Sequence, residues 1–110
     1  MTFLDVPPPT PQKFKVDESL IGAKSAVVKW ETPSYADVYE ISEYTVQRKL
    51  VLDNSGDFVT EKAVKADVNE WKLTGLEPDT GYLVRVVSHR KNALKEAASA
   101  PQEFKTKKGA

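Results

Sequence analysis

The segment at positions 76–86 limits the folds open to this chain more than any other part of it. Pro78 and Gly81 mark a tight turn, because proline and glycine favour the backbone angles that turns require. Directly after it, apolar side chains recur at every second position from 82 to 86. Alternation of this kind is typical of a β-strand with one buried face. The segment therefore predicts a turn that leads into a half-buried strand.

Six further segments show strand-like patterns bounded by turn residues. Together with residues 82–89, the predicted strands are residues 13–17, 25–30, 42–52, 58–64, 70–74 and 102–106. Turn signals recur about every 8–12 residues, and no segment has a sustained helical period. These features predict an all-β fold, a seven-stranded antiparallel β-sandwich.

The size of the chain suits one domain. A chain of 110 residues with 40% hydrophobic residues can bury one core without a metal or a disulfide, and it contains no cysteine. We expect residues 12–106 to form the domain. Residues 1–11 are then a proline-rich lead-in or linker, and residues 107–110 a disordered tail.

The charge pattern argues against nucleic-acid and membrane partners. Lys plus Arg and Asp plus Glu number 16 each, so the basic field that attracts nucleic acid is absent. No apolar run approaches ~20 residues, the length of a membrane-spanning helix. We expect neither nucleic-acid binding nor direct membrane contact.

Residues that carry catalytic chemistry are few. His89 is the only histidine, and no glycine-rich phosphate loop or spaced set of metal ligands occurs. His89 falls in the outward phase at the end of a predicted strand, where a solvated surface role is expected. The sequence predicts no enzyme activity and no cofactor or metal site.

From residue 6 to residue 106 the chain resembles a fibronectin type III domain. The residues that carry the resemblance are Pro11, Val28, Trp30, Pro33, Ile41, Tyr44, Val46, Leu73, Leu76, Pro78, Thr80, Tyr82, Val84, Val86, Ser99, Pro101, Phe104 and Thr106. The resemblance implies an immunoglobulin-like Greek-key sandwich. It also implies that the Tyr82 hydroxyl bonds to backbone in the turn at Pro78 and that Trp30 packs at the core centre. Trp71 and Leu76 are expected to be structural as well.

The chain departs from the family pattern at two places. The segment from Asn92 to Glu96 lacks the glycine that is frequent there, and the absence of an Arg-Gly-Asp tripeptide argues against integrin binding. Arg48 falls in the apolar phase of its strand. Because an unpaired buried guanidinium is very unfavourable, we expect Arg48 to reach past a sheet edge or to pair with a carboxylate.

The first candidate binding surface is one end of the sandwich, where the loops at 34–40, 65–69 and 91–98 are expected to project together. Protein interfaces favour apolar anchors with a polar rim. The residues that would supply them here are Tyr35, Val38, Tyr39, His89, Arg90 and Lys91. The alternative is that the two tyrosines fold back over the open end of the core.

The second candidate surface is the outward face of the sheet that contains the third and penultimate strands. Leu83 and Val87 are expected to be exposed aliphatic side chains there, beside Thr45, Gln47, Lys49 and Arg85. Exposed aliphatic side chains favour protein contact. The alternative is ordinary cross-strand packing with no partner.

Three classes of function fit these features. The first is a non-catalytic interaction or spacer module of a larger adhesion-like or receptor-like protein, contacting a protein partner or its own neighbouring domains and monomeric in isolation. For this class the resemblance implies an extracellular setting, with cytoplasmic filament-associated and bacterial settings as alternatives. The second is an engineered binder built on the same scaffold, and an accessory domain of an enzyme is a third alternative.

Overall fold

A computed structural model describes residues 8–33, 41–53, 57–90 and 96–109. Within these ranges the chain forms eight strands and one short 3₁₀ turn, Glu18–Leu20. The strands are β1 (Gln12–Val16), β2 (Ala26–Glu31), β3 (Ile41–Leu50), β4 (Val59–Lys65), β5 (Glu70–Leu73), β6 (Gly81–Arg90), β7 (Glu96–Ala98) and β8 (Gln102–Lys105).

The strands form two antiparallel sheets that pack face to face. The smaller sheet has the order β1-β2-β5. The larger has the order β4-β3-β6, with both β7 and β8 paired to the far edge of β6. The predicted all-β sandwich of the immunoglobulin type is confirmed.

Strands β7 and β8 occupy one strand position that is interrupted at Ser99. The Ser99 N–H donates to the Val86 carbonyl oxygen at 2.8 Å, and the Ser99 hydroxyl oxygen accepts from the Val86 N–H at 3.0 Å. The edge strand has one more residue between Ala98 and Gln102 than β6 has between their pairing partners. It therefore bulges. The seven predicted strand positions are correct, but the predicted loop at 91–98 is wrong in its last part, because residues 96–98 form β7.

The core lies between the sheets and follows the predicted alternation. Its buried members are Ala26, Val28, Trp30, Tyr44, Val46, Val64, Leu73, Leu76, Tyr82, Val84, Val86 and Phe104. Trp30 of the smaller sheet meets Tyr44 of the larger sheet edge-on, with ring centroids 5.7 Å apart. Trp71 is only half-buried and packs against the margin of this core.

The chain enters the sandwich at one end and leaves it at the other. Gln12 pairs with Glu31, and Ile41 pairs with Arg90, at what we call the loop end. We call the opposite end the corner end. There the Lys107 N–H donates to the Gly22 carbonyl oxygen, and the Lys107 carbonyl oxygen accepts from the Asp79 N–H, each at 3.0 Å. The backbone of Lys107 is thus hydrogen-bonded to the body of the domain.

The proline lead-in is part of the folded unit in its second half. Pro8 and Pro11 are both buried. Proline cannot donate to a sheet ladder, but its ring can cover apolar surface beside one. The packed domain therefore begins before β1.

Candidate functional site

Tyr82 builds the corner that the family resemblance implied. Its hydroxyl oxygen accepts a hydrogen bond from the Glu77 N–H at 2.8 Å. Thr106 closes the same turn, because its hydroxyl donates to the Glu77 carbonyl at 2.6 Å and accepts from the Thr80 N–H at 2.9 Å. Asp79 in this turn has a φ of 51°. Tyr82 and Thr106 therefore have a structural role in stabilising this turn.

Arg48 pairs with a carboxylate, which was one of the two outcomes expected for it. Its Nε donates to Glu61 Oε2 at 2.9 Å, and its guanidinium lies 5.7 Å from the centre of the Tyr82 ring. About a quarter of the Arg48 side chain stays exposed. The strand register changes between Val46 and Gln47, and this bulge brings Glu61 of β4 next to Arg48.

The outer face of the larger sheet is more closed than predicted. Val87 is 0% exposed, so its predicted role as an exposed aliphatic side chain is wrong. Its cross-strand neighbours are Thr45 on β3 and Ala98 on β7. No strand was predicted at residues 96–98, although this strand, β7, covers one side of Val87. Leu83 is half-buried and keeps part of the predicted apolar surface.

Phe58 lies on this outer face under two cationic side chains. The Arg85 guanidinium lies 4.1 Å from the ring centre, and the Lys49 ammonium lies 5.9 Å from it. Arg85 Nε also donates to Gln47 Oε1 at 2.8 Å. Most of the polar groups expected on this face therefore have partners within the domain.

His89 is oriented by two neighbours that the sequence did not link to it. Its Nε2 lies 2.8 Å from Thr45 Oγ1, and its Nδ1 lies 3.2 Å from Glu96 Oε2. The prediction that His89 points outward is correct. The prediction that it is only solvated is wrong, because both of its ring nitrogens have side-chain neighbours. Glu96 belongs to β7, so only recognition of that strand could have revealed the contact.

Arg90 does not form part of an exposed rim. It is 5% exposed, because β6 continues to Arg90 and the alternation carries this side chain to the inner face. The strand was predicted to end at 89. Because β6 includes one further residue, the Arg90 side chain points to the inner face and not to solvent. The other predicted contacts at the loop end, Tyr35, Val38, Tyr39 and Lys91, lie outside the described residues.

The strand ends that flank the three predicted loops do meet at the loop end. Ile41 pairs with Arg90, and the Trp30 N–H donates to the Asn69 carbonyl at 3.0 Å. Asn69 also donates from Nδ2 to Thr32 Oγ1 at 3.2 Å. These contacts place the beginnings and ends of the loops side by side.

Two titratable groups have shifted pKa values, and both have structural explanations. Burial raises the pKa of the Tyr44 phenol and outweighs the opposing effect of the Thr32 side chain. Hydrogen bonds from Ser19, and then the contact with Lys29 at 3.1 Å, lower the pKa of the Asp17 carboxyl. Asp17 caps the 3₁₀ turn, so the lowered pKa of its carboxyl is explained by this structural role.

Clusters that could hold a metal are absent from the part of the chain that the structure describes, since no three His, Asp or Glu side chains converge there. Within the same residues, no helix has the length and apolar character needed to cross a membrane.

The two packed sheets, the broken last strand and the tyrosine corner define an antibody-like β-sandwich. The sequence profile of the fibronectin type III domain matches residues 8–105, and the chain belongs to that family. Domains of this family are generally non-catalytic modules.

Solved structures share this fold at low sequence identity. The chain is similar to the FN1–FN3 domains of chicken CNTN1, with a TM-score of 0.78 and 18% identity over 93% of this chain and 33% of that one. Domains of titin give a TM-score of 0.75 and 23% identity over 94% of this chain and 33% of that one. The FN5 domain of Drosophila Lar gives a TM-score of 0.70 and 25% identity over 93% of this chain and 99% of that one. The chain spans about a third of the length of each of the first two solved chains.

Proposed function

We propose that this chain is a non-catalytic spacer module that holds neighbouring domains of a longer protein apart. The observation that carries the proposal is the path of the backbone, which joins the sandwich at the loop end through Gln12 and leaves at the corner end through Lys107. Neighbours attached at these ends lie on opposite sides of the domain. Its longest principal axis measures 55 Å.

Stiffness is the property that such a spacer needs, and two features support it. The Trp30 and Tyr44 rings lock the two sheets together in the core. At the corner end, Thr106 and Lys107 bond to the turn before β6, so the departing chain is fixed to the body of the domain. The balanced charge and the scarcity of catalytic residue types favour neighbouring domains as partners over nucleic acid or substrates. The extracellular setting implied by the family remains part of this proposal.

The test is the distance between two labels placed in the flanking domains of the longer protein. The comparison variant replaces the module with a flexible Gly/Ser chain of equal residue number. Such a chain has a root-mean-square span of roughly 5–6 Å × √n, which is close to the length of the folded module at this size. The width of the distance distribution is therefore the informative quantity.

A narrow distribution with the native module and a broad one with the flexible chain is the expected result. Pulsed electron–electron double resonance measures both the mean and the width of the distance distribution. Equal widths for the two proteins would show that the module does not act as a stiff spacer.

Protein recognition through the outer face of the larger sheet is a second candidate function. It depends on Leu83, which stays half-buried near the start of β6 between Lys49 of β3 and Glu103 of β8. If the face binds a neighbouring domain, Leu83→Lys is expected to abolish the binding and leave the fold intact. Amide NMR shifts during titration with that domain measure both effects. Binding that survives Leu83→Lys would contradict this candidate, and shifts around Ile41 and His89 would favour the loop end instead.

A further inference from the structure

A preformed groove lies at the corner end, between the turn after β3 and the turn before β6. Its volume is about 390 Å³, and Leu50, Val51, Leu52, Gly81 and Lys105 contribute to its lining. The Val51 N–H donates to the Gly81 carbonyl at 3.0 Å, which ties the two turns together. A Cβ atom at position 81 would lie 3.3 Å from Val51 Cγ2, so the missing side chain lets these segments pack closely.

The groove exposes aliphatic surface that nothing within the described chain covers. Leu52 is 91% exposed and Leu50 is 42% exposed. Contiguous apolar surface of this kind is unfavourable in water and typically marks a contact site. On one side of the opening, Asp79 and Lys105 form an ion pair of 3.2 Å with both side chains well exposed.

The size of the groove argues against a free partner. A stable complex between separate proteins usually buries at least about 1,000 Å² in total, and a groove formed by a handful of residues supplies far less per partner. A tethered partner needs much less area, because a short linker keeps it at an effective concentration on the order of millimolar.

The path of the chain brings a module that follows this domain close to the groove. Lys105 contributes to the lining, and two residues later the Lys107 carbonyl accepts from the N–H of Asp79. A Cβ atom at Gly109 would lie 3.6 Å from Pro78. Polypeptide that continues beyond Gly109 therefore starts next to the groove.

We propose that the corner-end groove receives an apolar side chain from the module that follows in the longer protein and so fixes the angle between the two modules. The inference rests on the spacer function proposed above. The incoming surface needs one aliphatic or aromatic side chain to fill the groove beside Leu50 and Leu52. It also needs polar groups that match Asp79 and Lys105 at the opening.

The experiment compares methyl NMR spectra of this domain alone and joined to its natural C-terminal neighbour. We expect the Leu50, Val51 and Leu52 methyl signals to shift in the two-module protein, and Leu52→Lys to remove these shifts. Because Leu52 is 91% exposed, the substitution should leave the fold unchanged. Val59→Lys is the matched control, since Val59 is an exposed aliphatic residue of β4 that does not line the groove.

Residual dipolar couplings of the two-module protein give the second readout. A fixed angle that is lost in Leu52→Lys and kept in Val59→Lys supports the inference. Unshifted groove methyls with a fixed angle overturn the groove contact and leave the spacer function intact. Shifted methyls with independently tumbling modules overturn the claim that the groove contact fixes the angle, and they also contradict a stiff spacer. Concentration-dependent shifts of the same methyls in the isolated domain would identify a second copy as the occupant and overturn the proposal.

Discussion

Tyr82 and Tyr44 show how differently two buried tyrosines can use their hydroxyl groups. The Tyr82 hydroxyl accepts from the Glu77 N–H at 2.8 Å and so holds the turn before β6. Among the described residues the buried Tyr44 hydroxyl makes no hydrogen bond of normal geometry, although the Thr32 side chain lies near enough to oppose the effect of burial on its pKa. A buried polar atom without a partner is unfavourable, so the ring rather than the hydroxyl explains the contribution of Tyr44.

This difference predicts opposite outcomes for two conservative substitutions. Tyr82→Phe leaves the Glu77 N–H without its acceptor and should lower the free energy of unfolding by about 1–3 kcal/mol. Tyr44→Phe should be neutral or stabilising. Urea denaturation of both variants measures the free energies. An equal loss in the two variants would contradict the assignment of the corner bond.

At the scale of the element, the last strand position depends on Ser99. This residue is 7% exposed and bonds to Val86 through both its N–H and its hydroxyl oxygen. It bridges the interruption between β7 and β8, where regular pairing to β6 is missing. The sequence could not indicate β7, because three residues with two alanines carry no clear alternation.

Ser99→Ala should loosen this strand. The Val86 N–H loses its acceptor, so we expect a loss of about 1–3 kcal/mol in stability and faster hydrogen exchange of the Val86 amide. Ser42→Ala is the control, because the Ser42 hydroxyl is exposed and makes only a 3.4 Å bond to the His89 carbonyl. Unchanged exchange at Val86 would show that the strand is held by other contacts.

At the scale of the whole molecule, the edges of both sheets carry features that discourage pairing with other chains. Strand β4 has a bulge and an inward-phase lysine, Lys62, which lies 5.7 Å from the centre of the Trp71 ring. Strand β1 has a register shift between Gln12 and Lys15. Short, bulged and charged edges are the usual protection against sheet extension. They agree with the modular role that we propose and with the expectation that the domain is monomeric in isolation.

Contact between the two sheets should dominate the global stability. Trp30 is 3% exposed and meets Tyr44 of the opposite sheet, so Trp30→Ala should lower the free energy of unfolding by about 3–5 kcal/mol. Lys72→Ala, at an exposed position on β5, should change it by less than about 0.5 kcal/mol. Chemical denaturation measures both. Similar values for the two variants would show that the core is assigned to the wrong phase.

Local pattern in the sequence was sufficient for the seven predicted strand positions and for the core phase. Period-two alternation identified the inward positions of β2 and β6, whereas the corner at Tyr82 was implied by the resemblance to the fibronectin type III family. These features depend on neighbours within a few residues, so the sequence contains the information directly. The expected resolution of Arg48 was also correct, because a buried guanidinium must find a partner.

Only the tertiary structure decided how the surface is used. Val87 became buried when β7 paired beside it, and Arg90 turned inward because β6 is one residue longer than predicted. His89 found Thr45 at a separation of 44 residues, and Arg85 found Gln47 at 38. The groove at Leu52 likewise exists because two distant turns meet. Strand alternation determines which side chains point inward, but register and pairing across the sheet determine which outward side chains stay free.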